Sequence, residues 1–500
     1  MSGLPFPDQS SGPLLPYNVH RPGLLRIRIV MLNLGELITL SWIRRAILIL
    51  VLMCATHVSP ASEVAPSPPM GWNSWDSFGL TIDEADFKAN VSELARLHAY
   101  GWTYAVIDEG WYMGNPFGDK LANRQYVLDA HGLLIPAPAR YPSSTGDKGF
   151  EPLAAWMHAQ GLKFGLHIVR GIPKQAVTAN SPIAGSSFHA VEAADTNDTC
   201  GWDDGNYGVR DNPAGQAYYD SMLALYARWG LDFIKVDCIA DHPYKLSEIR
   251  QIAQAIRKTG RPIVLSLSPG PTQPSHAAEI RQFAQMWRIS NDIWDSWHFM
   301  HEPPREDDFP IGVRDIFDRL QPWVGHARDG RWPDADMLPF GMLAPHPGWG
   351  EARHSRLTLD EVRTQLTLLA IARSPLILGA NLTQLDVQTR ALLTNKEVIA
   401  VNQTTRDNHP VDPLPVGFEK VRVWVATGTQ PHGSERYVAV FNLDDHVTSV
   451  EATWQQLGLG SGKLGARDVW NGQRMTDSDR LKVELPAHGC VLYALHAPAR

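Results

Sequence analysis

Charged residues follow short apolar segments in the middle of this chain. In the clearest case, the apolar segment 233–236 is interrupted by Lys235 and followed directly by Asp237. Continuous apolar runs are typical of strands that are buried on both faces, and parallel strands present functional groups at their carboxyl ends. Such groups could bind a substrate or transfer protons. For this segment alone, an ion pair between Lys235 and Asp237 would be an equally good explanation.

Other apolar segments end in a similar way. The polar and aromatic residues at or near their ends are Asp108, Glu109, His167, Arg170, Ser266, Ser268, Arg288, Asn291, Asp292, Trp332, Asp334 and Asp336. Unpaired buried charge is costly, so stability alone does not explain a ring of acids with arginine and tryptophan. Carboxylates accept hydrogen bonds from hydroxyl groups, and an indole can pack against the apolar face of a sugar. The set indicates a site for a polyhydroxylated ligand.

The elements that must position these residues are predicted strands alternating with amphipathic helices. The predicted strands are 70–75, 104–108, 163–168, 233–237, 262–268, 286–290, 334–338 and 375–378, and the clearest helices are 84–98, 152–160, 216–229 and 245–259. This alternation predicts an α/β protein with a (β/α)8 TIM barrel, in which the strand ends converge on one rim. The long connections 110–150 and 169–214 follow strands, so we expect them to shape the pocket.

The C-terminal part of the chain has a different pattern. Its short apolar segments are separated by turns, without helical patterns between them; they are 421–426, 437–442, 447–454, 466–470, 481–485 and 490–495. This pattern predicts an antiparallel β-sandwich that packs on the barrel. We therefore divide the chain into a disordered N-terminal extension with a signal peptide (1–65), a catalytic barrel (66–397) and a β-sandwich domain (398–500).

The N-terminal extension has the order of a secretory signal peptide. Arg44 and Arg45 precede the apolar run 46–54, which is followed by small residues near Ser59 and Ala61. The run is too short to span a bilayer. It predicts export to the periplasm or the extracellular space, with no stable membrane insertion.

Net charge and cysteine content narrow the possible partners. The net charge of −8 disfavours nucleic acid or an anionic membrane as a partner. Cleavage of the leader would leave Cys200, Cys238 and Cys490, without the spacing of a zinc site, so we expect no metal. An oxidising compartment would allow a Cys200–Cys238 bridge, and Cys490 is predicted to be unpaired. A homo-oligomer is possible.

Five motifs in this order resemble those of glycoside hydrolase family 27, which contains α-galactosidases and α-N-acetylgalactosaminidases. They are PPMGWNSW (68–75), YAVIDEGW (104–111), FIKVD (233–237), WRISND (287–292) and WPDADM (332–337). The resemblance covers residues 66–500. It implies a (β/α)8 catalytic domain, retention of the anomeric configuration and no cofactor.

The resemblance also implies roles for individual residues. Asp237 matches the nucleophile of the family and Asp292 its general acid/base, for which a retaining enzyme needs a carboxyl–carboxyl separation of about 5–6 Å. Trp75 matches the indole that stacks on the sugar, and Asp108 an acid that binds the hydroxyl groups at C4 and C6. Further matches to residues that bind hydroxyl groups are Lys235 and Arg288. Asp336 also lies in a family motif, and either sugar contact or an ion pair with an arginine would explain it.

Three positions differ from the usual α-galactosidase pattern. Glu109 replaces a second aspartate, His167 replaces a tyrosine, and Ser268 stands where a glutamate binds the 2-hydroxyl group of the sugar. N-acetylgalactosaminidases of the family carry a serine there, which leaves room for an acetamido group. All three side chains are predicted to bind substrate.

These observations predict an exported, retaining exo-glycosidase that hydrolyses terminal α-linked galactose from a small carbohydrate substrate. An α-N-acetylgalactosaminidase is the alternative that Ser268 favours. Hydrolysis of β-L-arabinopyranosides or α-glucans is known among relatives and also stays open. From other classes, we consider a catalytically silent sugar-binding barrel, which should lack one of the two acids, and a metal-dependent hydrolase, for which His167 alone would be an insufficient ligand set.

Overall fold

Eight parallel strands form one sheet in the computed structural model, which describes residues 64–116, 125–298, 309–344, 351–429 and 436–497. They are β1 (Met70–Asn73), β2 (Tyr104–Ile107), β3 (Lys163–Val169), β4 (Phe233–Asp237), β5 (Val264–Leu267), β6 (Met286–Arg288), β7 (Trp332–Asp334) and β8 (Leu376–Leu378). Their order in the sheet is β7-β6-β5-β4-β3-β2-β1-β8. A parallel bridge from Leu338, just after β7, to Leu378 joins the two ends. The predicted barrel is confirmed.

At least one helix follows each strand. The helices include α1 (Glu84–Leu97), α2 (Glu151–His158), α3 (Pro213–Arg228), α4 (Leu246–Thr259), α5 (Ala277–Ile280), α6 (Ile316–Leu320), α7 (Leu359–Ile371), α8 (Val387–Leu393) and α9 (Lys396–Thr404). Local sequence determines several of their ends. The Asp83 carboxylate accepts the Asp86 N–H at 2.9 Å and caps α1, and Thr358 and Glu361 form a capping box on α7. Gly260, with φ of 70°, ends α4 in the left-handed conformation.

The seventh strand is not where the sequence pattern predicted it. The sequence pattern predicted residues 334–338. Pro333 cannot donate a hydrogen bond to a sheet, but it lies within the strand all the same. In the structure, β7 begins at Trp332 and pairs with β6, and the chain has left the extended conformation by Asp336, where φ is 76°. Trp332 consequently lies at the amino end of the barrel, where it packs with first residues of other strands such as Tyr104 and Phe233. It does not reach the rim.

The connection between β3 and α3 contains regular structure of its own. Three short segments, Ile172–Pro173, Ala194–Thr199 and Asn206–Val209, form an antiparallel sheet. A disulfide between Cys200 and Cys238 joins this connection to the residue that follows β4. The loop is therefore attached covalently next to the end of a barrel strand. Cys490 is a buried free thiol, as predicted.

The C-terminal strands form the predicted β-sandwich. They are β9 (Arg406–Pro410), β10 (Val421–Thr427), β11 (Arg436–Asn442), β12 (Thr448–Thr453), β13 (Leu464–Asp468), β14 (Arg474–Ser478), β15 (Arg480–Leu485) and β16 (Cys490–His496). The larger sheet has the order β9-β10-β11-β16-β13-β14, and β12 pairs with β15. The sequence pattern missed β9 and β14 because both are polar strands at the edges of the sheet.

The structure bears on two of the predicted domain limits, the one after the barrel and the one after the leader. The limit predicted between residues 397 and 398 falls inside α9, which has no glycine or proline to end it there. The predicted leader lies almost entirely outside the described residues, and its signal-peptide assignment stays a prediction. None of the helices within the described ranges is long and apolar enough to span a bilayer.

Trp332→Ala should destabilise the barrel strongly. The indole is buried at the base of the barrel, and its N–H donates to the Ala65 carbonyl oxygen at 2.9 Å. We expect the free energy of unfolding to fall by about 3–5 kcal/mol, measured by denaturant titration. Val387→Ala, at an exposed position of α8, is the control and should change it by less than about 0.5 kcal/mol. Equal effects for the two variants would contradict this account of the barrel base.

Candidate active site

A pocket of about 950 Å³ opens at the carboxyl ends of the barrel strands. The nine residues to which the sequence analysis assigned a catalytic or substrate-binding role line it: Trp75, Asp108, Glu109, His167, Lys235, Asp237, Ser268, Arg288 and Asp292. They come from six strands, β1 to β6, or the loops after them. The loop after β7 adds Asp336 and Met337 to the pocket. The structure thus brings together positions that are more than two hundred residues apart in the sequence.

Asp237, the last residue of β4, is held as a carboxylate. Its Oδ1 accepts the Cys238 N–H at 2.9 Å, and His167 Nε2 lies 3.7 Å from its Oδ2. Burial alone would raise the pKa of Asp237, but the His167 ring, the Lys235 charge and the Cys238 N–H outweigh it and hold this pKa well below its usual range. An ionised carboxylate in a fixed orientation can attack an electrophilic carbon.

Asp108 is a second buried carboxylate, fixed by donors on several sides. Its Oδ2 accepts from Asn73 Nδ2 at 2.6 Å and lies 3.3 Å from Lys235 Nζ, and its Oδ1 accepts the Glu109 N–H at 2.8 Å. Burial opposes ionisation, yet His167 and Lys235 lower the pKa of Asp108. Burial would also lower the pKa of Lys235, but Asp108 and Asp237 raise it, so the lysine stays cationic. The pair can accept from and donate to neighbouring hydroxyl groups.

Arg288 joins two further acids on the other side of the pocket. Its Nη2 lies 3.1 Å from Asp292 Oδ1 and 2.8 Å from Asp336 Oδ2. The Asp336 Oδ2 also accepts the Ile293 N–H at 2.8 Å. The alternatives for Asp336 do not exclude each other, because it forms the ion pair and also lines the pocket. Burial raises the pKa of Asp336 to about 6, against the lowering effect of Arg288.

Four residues from the same sequence set do not line the pocket. They are Arg170, Ser266, Trp332 and Asp334. Arg170 turns into the protein instead, where its guanidinium binds Glu248 at 2.8 Å, Asp198 at 2.9 Å and the Cys238 carbonyl oxygen at 2.6 Å. It supports the loop behind the pocket. The sequence pattern predicted that Arg170 would lie at the rim, and this prediction is wrong.

Several pocket residues were not found from the sequence. They are Asp76, Leu80, Trp202, Asp203, Asp241, His242, Pro271, Ile293, Trp294 and Phe309. Asp76 could have been noticed, since it is an acid directly after Trp75. It is buried, its Oδ2 has no hydrogen-bond partner in the described part of the chain, and burial raises its pKa well above the usual value. Trp202 and Phe309 belong to loops without a distinctive sequence pattern.

No group of three or more His, Cys, Asp or Glu side chains within the described ranges has the arrangement of a metal site. The functional groups of the pocket are its carboxyl groups, its cations and its aromatic rings.

Comparison with known proteins identifies the family. The model of α-galactosidase A matches residues 197–404, and the model of the α-galactosidase C-terminal β-sandwich domain matches residues 419–495. A family 27 β-L-arabinopyranosidase from Geobacillus stearothermophilus is 39% identical, with a TM-score of 0.80, over 87% of this chain and 97% of that one. The chain belongs to glycoside hydrolase family 27. It is a glycoside hydrolase.

Other relatives in this family differ in their named activities. A putative α-N-acetylgalactosaminidase from Bacillus halodurans is 37% identical, with a TM-score of 0.73, over 86% of this chain and 97% of that one. The α-galactosidase A of Cellvibrio japonicus is 28% identical over 87% of this chain and 93% of its own length. Three substrate specificities thus occur among similar proteins.

Lys235→Met should make the enzyme more sensitive to acid. The positive charge of Lys235 lowers the pKa of Asp237, so its loss should raise that pKa and move the acidic limb of kcat/KM to higher pH by about one to three units. The measurement is the pH profile of kcat/KM on a chromogenic glycoside. Lys174→Met removes a positive charge outside the pocket and should leave the profile in place. An unchanged acidic limb in Lys235→Met would contradict the coupling between Lys235 and Asp237.

Proposed function

We propose that this protein is a retaining exo-glycosidase that removes terminal α-linked galactose by double displacement. The observation that carries the proposal is the presence of Asp237, held ionised, and Asp292, paired with Arg288, in one pocket. The α-galactosidases among the relatives support the choice of substrate. The substrate is a neutral carbohydrate, and the reaction needs no cofactor.

The proposed reaction uses each acid for one task. Asp237 attacks the anomeric carbon while Asp292 gives its proton to the departing oxygen, which forms a glycosyl–enzyme intermediate. Asp292 then removes a proton from water, which displaces Asp237. The hydrogen bond from the Cys238 N–H fixes the carboxylate of Asp237, so little reorganisation is needed before attack. A carboxyl separation of about 5–6 Å stays our prediction for this pair.

The buried polar groups provide the recognition of the sugar. Trp75 would stack on its apolar face, and Asp108 with Lys235 would bind the hydroxyl groups at C4 and C6, which distinguishes the axial 4-hydroxyl of galactose from that of glucose. Ser268 is buried and lines the pocket. Because serine is smaller than glutamate, an α-N-acetylgalactosaminide stays the alternative at the 2-position.

A second candidate substrate is a β-L-arabinopyranoside, and Glu109 favours it. β-L-Arabinopyranose has the ring configuration of α-D-galactopyranose but lacks the hydroxymethyl group at C6. Glu109 is buried beside Asp108 and is one methylene longer than aspartate, so it takes space near the position of that group. A β-L-arabinopyranosidase is among the relatives with the highest identity.

We also propose that the protein is exported to the periplasm or the extracellular space. The signal-peptide pattern in the sequence supports this, and the Cys200–Cys238 disulfide fits an oxidising compartment. Fractionation of cells that express the full chain, followed by N-terminal sequencing of the mature protein, tests it.

Asp237→Asn should remove the nucleophile and lower kcat by about a thousandfold or more, because the amide cannot form the covalent intermediate. The measurement is turnover of aryl α-galactoside and aryl β-L-arabinopyranoside by the purified variant. Asp211→Asn makes the same chemical change at a surface ion pair with Arg250 and is the matched control. Turnover near the wild-type level in Asp237→Asn would remove this residue from the proposed role.

Glu109→Asp should shift the enzyme toward galactosides. Loss of one methylene makes room for the hydroxymethyl group at C6, so the ratio of kcat/KM for galactoside to that for arabinopyranoside should rise by about tenfold or more. Both aryl glycosides are assayed with the wild type, with Glu109→Asp and with Glu192→Asp, an exposed control. If the ratio stays the same, Glu109 does not contact this part of the sugar. The wild-type ratio itself decides between the two substrates.

A further inference from the structure

Two aromatic side chains are exposed at the mouth of the pocket. Trp202 is 39% exposed and Phe309 is 50% exposed, and both line the pocket. Within the described ranges, the other large apolar side chains of comparable exposure are aliphatic and lie outside this pocket. Exposed aromatic surface close to a binding site is typical of a contact with a ligand.

The loop around Trp202 holds its ring in a fixed position. Cys200 is bonded to Cys238, which directly follows Asp237. On the other side, the buried Asp203 accepts the Gly205 N–H at 2.9 Å. The Trp202 ring packs against the ring of His242, with 5.5 Å between their centroids. The disulfide at Cys200 and the contact with His242 therefore hold Trp202 next to the segment that follows Asp237.

His242 is itself fixed by its neighbour. Its Nδ1 lies 2.7 Å from Asp241 Oδ2, and both residues line the pocket. Together with Asp203, this wall of the mouth carries two carboxylates beside His242, and the hydrogen bond with Asp241 raises the pKa of His242. The carboxylates can accept hydrogen bonds from hydroxyl groups.

The exposure of the pocket acids indicates which end of the substrate reaches the mouth. The side chain of Asp108 is 3% exposed, that of Asp237 16% and that of Asp292 31%. The terminal sugar would lie deepest, against Asp108, with its anomeric carbon at Asp237. The departing oxygen is then on the side of Asp292, toward the solvent. The remainder of the substrate must leave the pocket past the mouth.

We propose that Trp202, with His242 and Phe309, binds the sugar unit on the leaving-group side of the scissile bond, a neutral pyranose that stacks on the indole. The proposal rests on the proposed glycosidase function and adds to it the recognition of the aglycone. A pyranose presents an apolar C–H face to an aromatic ring and hydroxyl groups at its edge, which matches an indole flanked by Asp241. The site selects substrates by their second sugar as well as their terminal one.

The test compares two substrates that share the terminal sugar the wild type hydrolyses. One is the glycosyl fluoride, which has no sugar to stack, and the other is a disaccharide with a neutral pyranose as the leaving group. In Trp202→Ala, the loss of kcat/KM on the disaccharide should exceed that on the fluoride by about tenfold, because a stacked ring contributes only to the former. Trp202→Phe, which keeps a flat ring, should restore most of the difference, and Phe309→Ala should show a smaller selective loss.

Val387→Ala is the control for handling and stability, because this residue is exposed far from the pocket lining. Equal losses on the two substrates in Trp202→Ala, or no loss on either, would overturn the inference. If that variant fails to fold, the same comparison with Phe309→Ala decides, and an unchanged ratio there overturns it. A wild type that hydrolyses none of the aryl glycosides used to choose the terminal sugar would instead contradict the proposed function, so the two failures can be told apart.

Discussion

Lys235 carries a buried positive charge among buried carboxylates, 3.3 Å from Asp108 and close enough to Asp237 to lower its pKa. Neither acid could stay ionised at its depth without compensation, because removing a carboxylate from water disfavours its charged form. Lys235 and Asp237 both lie on β4, two residues apart, so the pleat of one strand directs both side chains into the barrel. The sequence alone allowed an ion pair between Lys235 and Asp237, but Lys235 forms its ion pair with Asp108, directly after β2, and all three residues line the pocket.

The pocket and its supports hold more acids than cations, which has a consequence for protonation. Lys235 and Arg288 interact with six acids: Asp76, Asp108, Asp237, Asp292, Asp334 and Asp336. The imbalance separates the acids by pKa. His167 and Lys235 lower the pKa values of Asp108 and Asp237. Burial raises the pKa values of Asp76, Asp334 and Asp336. A site of this kind can hold one carboxylate ionised and still keep protons on others.

The sequence was most informative where one physical constraint acted alone. Strands such as β4 are continuous apolar runs because both faces are buried, and their carboxyl ends must meet, so eight of the nine site residues could be named from the strand ends. Trp75 and the individual roles came from the resemblance to family 27. It was least informative where two constraints conflicted. Pro333 weakened the pattern of β7 although the strand is in the barrel. Arg170 follows β3 at the expected position, but Glu248 and Asp198 attract it away from the rim.

Loop residues were missed for a different reason. Trp202 and His242 are 40 residues apart, and no periodic pattern connects them, because their contact depends on the Cys200–Cys238 bond and on the small sheet between β3 and α3. The barrel determines the position of Asp237, whereas the loop determines what is placed at the mouth. Because the disulfide joins the loop to the residue next to Asp237, the two cannot move far apart. A loop attached in this way can differ between relatives in its aromatic residues while the acids below it keep their geometry.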